Sequence, residues 1–294
     1  MRKIVALFFI IILIILFWYL FLKSYQYKIN FSAKTTPGTI NQTLKMWNRS
    51  LKNSTISSEN INNLEQQIII NGHDYIFNWE IKLINDSTSN INAYISELDN
   101  SFINKITIPF LNTQIEQNSE KHVREFYKIN KEHLGNINVD VKGVGEIKGT
   151  YCVYVSLKTS QIGKANGMMS YYPLLDSFIA ENNIQTNGKP IVEVIHWDMK
   201  SDSLQYNFCF PIIKTDSLPI HHALKYKWLE NKKVIKAIYN GNYITSDRAW
   251  YALIQYAQRN DINIINKPIE IFHHNPNLGK NEKKWRADIY LPIK

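Results

Sequence analysis

The sequence predicts an α+β protein, in which one transmembrane helix precedes two regions of short strands and helices with antiparallel sheets. Three observations support this fold class. Residues 4–22 are an uncharged apolar run. Residues 64–98 alternate apolar and polar side chains between turn residues, which is typical of half-buried strands. Residues 189–198 (KPIVEVIHWD) and 267–275 (KPIEIFHHN) repeat one pattern, which indicates a duplicated hairpin.

The N-terminal run has the length of a membrane span. A helix over residues 4–22 measures about 28 Å, close to the hydrocarbon thickness of a bilayer. It ends in Trp18, Tyr19 and Phe21, which suit a membrane interface and are poor residues for signal peptidase cleavage. We expect residues 1–23 to be an uncleaved signal anchor in the cell membrane. Short anchors of this kind usually keep their tip in the cytoplasm, so we expect the soluble part on the non-cytoplasmic side.

The composition is that of globular domains, with 294 residues of which 45% are hydrophobic. The net charge of +9 is scattered over lysines and lacks the clustered footprint of nucleic-acid binding. Because no segment is typical of a recognition helix, we expect no nucleic-acid partner. Cys152 and Cys209 lie in predicted strands, where we expect two buried thiols; a disulfide in an oxidising compartment is the alternative.

The sequence indicates neither a metal nor a cofactor. The pairs His221-His222 and His273-His274 are chain neighbours, and neighbouring side chains on a strand point to opposite faces, so they do not converge on a metal. Zinc-type Cys/His spacing, a phosphate loop and a nucleophile elbow are all missing from the sequence.

The region 28–134 follows the order strand, short helix, antiparallel meander and long helix. The predicted segments are strands at 28–36, 67–70, 75–84, 91–98 and 102–110, a polar loop at 52–63, and helices at 39–51 and 116–134. From Pro37-Gly38 to Trp47 and through the following strands, this order resembles a START-like (polyketide-cyclase-like) domain. A small α+β spacer domain is the alternative.

The region 137–294 reads as two modules, 137–213 and 225–294, each in the order strand, helix, strand, strand. The predicted strands are 149–157, 191–196 and 204–211, then 234–239, 269–273 and 287–292; the predicted helices are 172–181 and 247–259. Pro173 suits the first turn of its helix, and Ser246 suits the N-cap of the other. Pairing of the first strand with the third places Cys152 near Cys209. Aligning the two hairpins with Val192 looped out matches Glu193 with Glu270.

Several spaced elements carry a family resemblance. They are Tyr239-Asn240-Gly241-Asn242-Tyr243, Ala249-Trp250, Pro268-Ile269-Glu270-Ile271-Phe272 and Ile289-Tyr290-Leu291-Pro292-Ile293. This order resembles the GyrI-like family, the effector-binding domain of AraC- and MerR-type regulators, over residues 137–294. The resemblance implies a groove between the modules that takes up small, often cationic and aromatic compounds through aromatic walls and a buried acidic residue. The regulators carry an upstream DNA-binding domain, whereas this chain has the anchor and residues 28–134.

Candidate ligand-binding residues follow from this resemblance and from strand alternation. Ile269 and Ile271 suit packing against helices, which leaves Glu270 and Phe272 facing the groove. The candidates are Glu270, Phe272, Tyr243, Trp250, Glu193 and Tyr239, with Tyr154 and Trp285 as weaker wall residues. For Glu270 the alternative is a surface or structural role, and for Tyr243 and Trp250 it is a core position. Val192 is expected to turn Glu193 outward.

The leading functional hypothesis is a membrane-tethered module that binds or senses a small amphipathic or cationic aromatic compound. A hydrolase of reactive small molecules that uses Glu270 as its base is one alternative. An envelope scaffold whose groove binds a peptide or protein partner is another.

Overall fold

The computed structural model describes residues 2–276, 279 and 281–294, which form two compact units, Met1–Lys131 and Glu132–Lys294. The α-helices of the described residues are α1 (Arg2–Phe17), α2 (Pro37–Asn48), α3 (Ser101–Thr107), α4 (Gln114–Asn136), α5 (Lys164–Glu181) and α6 (Arg248–Arg259). The strands are β1 (Tyr27–Ala33), β2 (Ser54–Ser58), β3 (Asn63–Ile70), β4 (His73–Asn85), β5 (Thr88–Glu97), β6 (Asn138–Ile147), β7 (Thr150–Ser160), β8 (Ile191–Asp198), β9 (Ser203–Pro211), β10 (Lys225–Leu229), β11 (Lys232–Asn240), β12 (Ile269–Phe272) and β13 (Arg286–Pro292). The predicted class, mixed α and β with antiparallel sheets, is confirmed.

The first helix is long and apolar enough to cross a membrane. α1 continues into a π-helical turn, Trp18–Leu22, and the helix Lys3–Leu22 has 20 residues with a mean hydropathy of 3.2. None of its most apolar window is buried within the protein. Length and composition therefore make it a candidate span, as expected from the sequence.

The first unit contains a five-stranded antiparallel sheet in the order β1-β5-β4-β3-β2. Its core joins α2, β4 and α4 through aromatic rings. The ring centre of Trp47 lies 5.3 Å from that of Phe126 and 4.5 Å from that of His122, and Phe77 lies 4.6 Å from His122. Aromatic side chains bury large apolar areas, so these contacts hold the two helices against the sheet.

Two segments of this unit differ from the sequence-based prediction. Residues 54–58, predicted as loop, form the edge strand β2, because their serines and threonine pair with β3 despite the lack of an apolar face. The predicted strand 102–110 is wrong: residues 101–107 form α3. The apolar side chains at 102, 103 and 106 have helical spacing, and the polar residues between them find buried partners.

The second unit is built on an eight-stranded antiparallel sheet in the order β10-β7-β9-β8-β12-β13-β11-β6. Its centre joins two three-stranded sets, β7-β9-β8 and β12-β13-β11, which follow the same strand–helix–strand–strand order along the chain. The sets meet where β8 pairs with β12. A pseudo-two-fold axis therefore passes between these two strands.

The helix α5 is longer than predicted. It begins at Lys164, so Pro173 lies inside the helix rather than in its first turn. The added turns are fixed by tertiary packing: Gly167 lets the helix approach Tyr206, whose hydroxyl donates to the carbonyl of Lys164 at 2.9 Å. In the other copy, Ser246 precedes α6 without capping it, since Asp247 holds the N-cap position.

The two faces of the second sheet are packed differently. One face carries a cluster of strand residues that includes Ile191, Ile269, Cys152 and Cys209, with Ile271 packed against it. The expectation that the Ile269 face packs against helices is therefore wrong, and the opposite face, which carries Glu270, takes α5 and α6. The pairing of β7 with β9 brings the two cysteines together as expected, and both are buried and free.

Candidate functional site

A cavity of about 400 Å³ opens on the helix face of the second sheet, a volume typical of small-ligand sites. Its walls come from α5, β9, β12, the turn after β11 and the segments before β8, after β12 and before β13. Aromatic and apolar side chains dominate the lining: Ala165, Met168, Met169, Tyr172, Pro190, Phe208, Tyr243, Ile244, Phe272, Pro276 and Trp285. The polar lining residues are Lys189, Asn242, His273, His274, Asn275 and Glu282.

Tyr243 is fixed at the centre of the aromatic wall. Its ring centre lies 4.7 Å from that of Phe272, edge to face, and 5.5 Å from that of Trp285. Its hydroxyl donates to the carbonyl of Arg286 at 2.8 Å and accepts from the amide of His274 at 3.1 Å. Burial raises the pKa of Tyr243 to about 12, so the phenol is neutral at physiological pH. The wall therefore presents preorganised, uncharged rings.

Glu270 lies next to this cavity but outside its lining, and it is fully buried. The Lys164 Nζ donates to one carboxylate oxygen at 2.6 Å, and the Trp250 Nε1 donates to the other at 2.7 Å. The hydroxyl of Ser246 lies 3.1 and 3.2 Å from the two oxygens. Burial raises the pKa of Glu270 above its ordinary value, and the Lys164 ammonium opposes this rise.

Lys164 is itself completely buried in this pair. Its Nζ also donates to the hydroxyl of Ser246 at 2.8 Å and lies 4.7 Å from the ring centre of Trp250, within cation–π range. Ion pairing and hydrogen bonds of this kind are what a buried charge requires. The carboxylate at 270 is thus neutralised by a residue of the same chain.

The strand register shows which residues of the two copies correspond. Ile269 pairs with Glu193, Glu270 with Val192, and Ile271 with Ile191. Two-fold related strands pair symmetrically, so Val192 is the counterpart of Glu270, and Glu193 is the counterpart of Ile271. The alignment that loops out Val192 is therefore wrong, and the bulge in β8 comes later, between Val194 and His196.

Glu193 consequently faces the other side of the sheet from Glu270. The Lys227 Nζ lies 2.7 Å from its carboxylate, and the Asn207 amide donates to it at 2.9 Å. Lys227 also lies 5.7 Å from the ring centre of Tyr154. Neither Glu193 nor Tyr154 lines the cavity.

The remaining candidates fall into two groups. Phe272, Tyr243 and Trp285 line the cavity together. Trp250 and Tyr239 are fully buried outside its lining: the Trp250 indole is held by Glu270, and the Tyr239 hydroxyl donates to the Asn242 carbonyl at 2.8 Å.

Sequence reasoning missed the contribution of the first module to the site. Lys164, Met168 and Tyr172 come from α5, whose first two turns were predicted to precede the helix. An amphipathic pattern over 164–172 would have been the signal, but Gly167 and Pro173 obscure it. Lys164 follows the 3-10 turn Gln161–Gly163, just as Ser246 follows the 3-10 turn Tyr243–Thr245. A correct alignment of the two copies would therefore have matched Lys164 with Ser246.

The duplicated sheet, with helices and an apolar cavity on one face, defines a small-molecule-binding architecture. A family model, GyrI-like small molecule binding domain, matches residues 147–294, which is half of the chain. The chain belongs to the GyrI-like family, as the sequence resemblance predicted. No curated protein matches the chain.

Three solved structures illustrate the similarity. The EcmrR C-terminal domain is 14% identical with a TM-score of 0.43, and the match covers 54% of this chain and 98% of that one. SAV2435 bound to tetraphenylphosphonium is 12% identical with a TM-score of 0.38, covering 53% and 94%. A hydrolase from Listeria innocua is 11% identical with a TM-score of 0.36, covering 60% and 98%.

Proposed function

We propose that this chain is a membrane-tethered protein that binds a small amphipathic aromatic compound in the cavity beside α5. The observation that carries the proposal is the lining: Tyr172, Tyr243, Phe272 and Trp285 surround a space of about 400 Å³ within a GyrI-like domain. Rings held in place before binding favour flat apolar ligands, because little side-chain entropy remains to be lost, and the flexible Met168 and Met169 can adapt to the shape of the ligand.

The charge of the ligand follows from the Lys164–Glu270 pair. A cation in the cavity needs a nearby carboxylate to offset the loss of its hydration. Glu270 meets that need for Lys164, whose Nζ is 2.6 Å away. The two charged residues of the lining, Lys189 and Glu282, are exposed and opposite in sign, so the cavity is close to neutral and favours an uncharged aromatic body. The polar end of such a ligand would meet His273, His274 or the exposed Glu282.

The tether in this proposal is the apolar helix Lys3–Leu22, with the soluble part on the non-cytoplasmic side of the membrane. Such a protein would sequester or sense a compound at the membrane surface. Its output would pass through a partner other than nucleic acid, in keeping with the scattered positive charge.

Ligand binding by the full-length chain in lipid nanodiscs tests the proposal. Neutral and cationic aromatic compounds would be screened by quenching of tryptophan fluorescence, and a hit would be retested on Phe272→Leu. We expect this variant to lose about tenfold in affinity, the order of 1.4 kcal/mol, because it removes an aromatic wall.

The matched control is Phe126→Leu, which alters an equally buried phenylalanine in the core of the first unit. Phe126→Leu should lower the free energy of unfolding about as much as Phe272→Leu does, but it should leave the affinity for the ligand unchanged. Equal affinity of wild type and Phe272→Leu for every hit, or a library without a hit, would contradict the proposal.

A further inference from the structure

Helix α3 exposes its apolar side chains and buries its polar ones, which is the opposite of an amphipathic helix on the surface of a water-soluble protein. Phe102, Ile103, Ile106 and Phe110, which we call the α3 apolar face, are between 44% and 82% exposed. At 100° per residue the directions of Phe102, Ile103 and Ile106 fall within one arc, and Phe110 lies in the hydrogen-bonded turn that follows the helix. A surface helix in water places such residues against the core.

The polar side chains of α3 point into the protein instead. Asn104 is buried and donates to the Glu97 carboxylate at 2.9 Å. Lys105 is buried, and its Nζ donates to the carbonyls of Leu20 at 3.0 Å and Lys23 at 2.6 Å. These bonds fix the rotation of the helix, so the apolar face cannot turn inward without leaving a buried charge unpaired.

The same contacts join α3 to the end of the candidate membrane span. Leu20 lies in its last turn, and Lys105 satisfies a carbonyl that the helix end leaves without an intrahelical partner. The ring of Phe102 lies 6.1 Å from that of Phe21, which lies 5.1 Å from Phe17. The exposed apolar surface therefore runs without interruption from the span onto α3.

We infer that the α3 apolar face docks on the surface of the lipid bilayer, beside the point where the span leaves it. Such a helix lies in the plane of the interface, with its apolar side in the boundary between headgroups and acyl chains. Contiguous exposed apolar surface of this kind marks an interaction site. Continuity with Phe21 and Phe17 identifies the partner as lipid, since those rings already require an apolar solvent if the helix spans the membrane.

This inference rests on the membrane tether of the proposed function, and it adds a second contact with the membrane. One contact is a span that could swivel; two contacts fix the orientation of the first unit relative to the bilayer. The five-stranded sheet would then stand with the Glu97 end of β5 at the membrane and the Ser87 turn away from it, about 30 Å along the strand.

Depth-dependent quenching on the full-length chain tests the inference. The native Cys152 and Cys209 are fully buried, so an environment-sensitive fluorophore is directed to an introduced thiol. Ile103→Cys reports on the α3 apolar face, and Ser87→Cys, in the exposed turn between β4 and β5, is the matched control. The labelled chains are reconstituted into vesicles of phosphatidylcholine and phosphatidylglycerol, with or without lipids that carry a spin label near the glycerol backbone.

We expect the probe at position 103 to emit further to the blue and to be quenched several-fold more by the spin-labelled lipid than the probe at position 87. A probe at 103 that emits as in water, on a chain that floats with the vesicles, would overturn the inference and leave the tether intact. A blue-shifted probe that the lipid does not quench would also overturn it, in favour of a protein contact. A chain that does not float would overturn both proposals.

Discussion

Glu270 is the acidic residue that both the sequence pattern and the structure single out, and its surroundings decide what it can do. Its two oxygens accept hydrogen bonds from Lys164, Trp250 and Ser246, all within 3.2 Å. A carboxylate in this state orders the junction of α5, α6 and β12. Removal of one member of a fully buried pair leaves the other charge without compensation.

We predict that Glu270→Gln lowers the free energy of unfolding by about 3–5 kcal/mol, because the Lys164 ammonium remains buried without its counter-ion. The double variant Lys164→Met with Glu270→Leu should recover most of this loss, since it removes both charges. Urea unfolding of the second unit measures these changes.

The matched control for this prediction is Glu193→Gln. Its partner Lys227 is partly exposed, so the expected loss is about 1 kcal/mol or less. If Glu270→Gln and Glu193→Gln cost the same, the buried pair would not have the structural role assigned to it.

The residues that sequence reasoning placed well are those whose position depends on local alternation. Phe272 and Tyr243 line the cavity. Their positions could be predicted, because the strand period and the turn after β11 are local features of the sequence. Glu193 could not be placed, because the register between β8 and β12 decides its face and a shift of one residue reverses it. Lys164 could not be found, because its partner is 106 residues away in the chain.

At the scale of elements, α4 carries a histidine whose charge would be incompatible with its packing. His122 lies between Trp47 and Phe77, and burial lowers its pKa to about 4 from an ordinary 6.5. The folded unit therefore binds fewer protons than the unfolded chain between these two pH values. Stability that is fully present above about pH 6.5 is lost as the pH falls towards 4.

We predict that the first unit loses about 3 kcal/mol of stability between pH 7 and pH 4 through His122, and that His122→Leu removes most of this dependence. Hydrogen exchange of the β4 and β5 amides in detergent micelles, followed against pH, measures it. The exposed His196 supplies the control, and His196→Gln should leave the profile unchanged. An equally steep profile in His122→Leu would refute the assignment.

Elements with regular periodicity were predictable, and those set by tertiary contacts were not. Most strands of both sheets and the long helices α4 and α6 follow their own patterns of apolar residues, whereas β2, β6 and β10, which do not lie in the predicted strands, depend on pairing with a neighbour. Helix α3 was taken for a strand, because its apolar residues are numerous and its buried residues are polar, the reverse of the expected pattern. The beginning of α5 was missed, because close packing of Gly167 against Tyr206 sustains a helix that local propensity does not favour.

At the scale of the whole molecule, the duplicated modules of the second unit form a symmetric backbone frame, but different side chains make the two halves unequal. Beside the turn Tyr243–Thr245 there is an open cavity. Beside the equivalent turn Gln161–Gly163, Trp197 packs against Trp250 and Tyr251 at 4.9 and 5.5 Å between ring centres. The GyrI-like frame could be predicted from sequence motifs, whereas this asymmetry depends on which side chains fill each half.

In the proposed function, the aromatic cavity binds a compound through its rings, and the carboxylate at 270 does not serve as a counter-ion. The most direct measurement compares a neutral aromatic compound with its quaternary ammonium counterpart, titrated against the full-length chain in nanodiscs and followed by tryptophan fluorescence. We predict tighter binding of the neutral compound, with the Kd raised about tenfold in Phe272→Leu and nearly unchanged in Lys164→Met with Glu270→Leu. Tighter binding of the cation, abolished in that double variant, would contradict the claim.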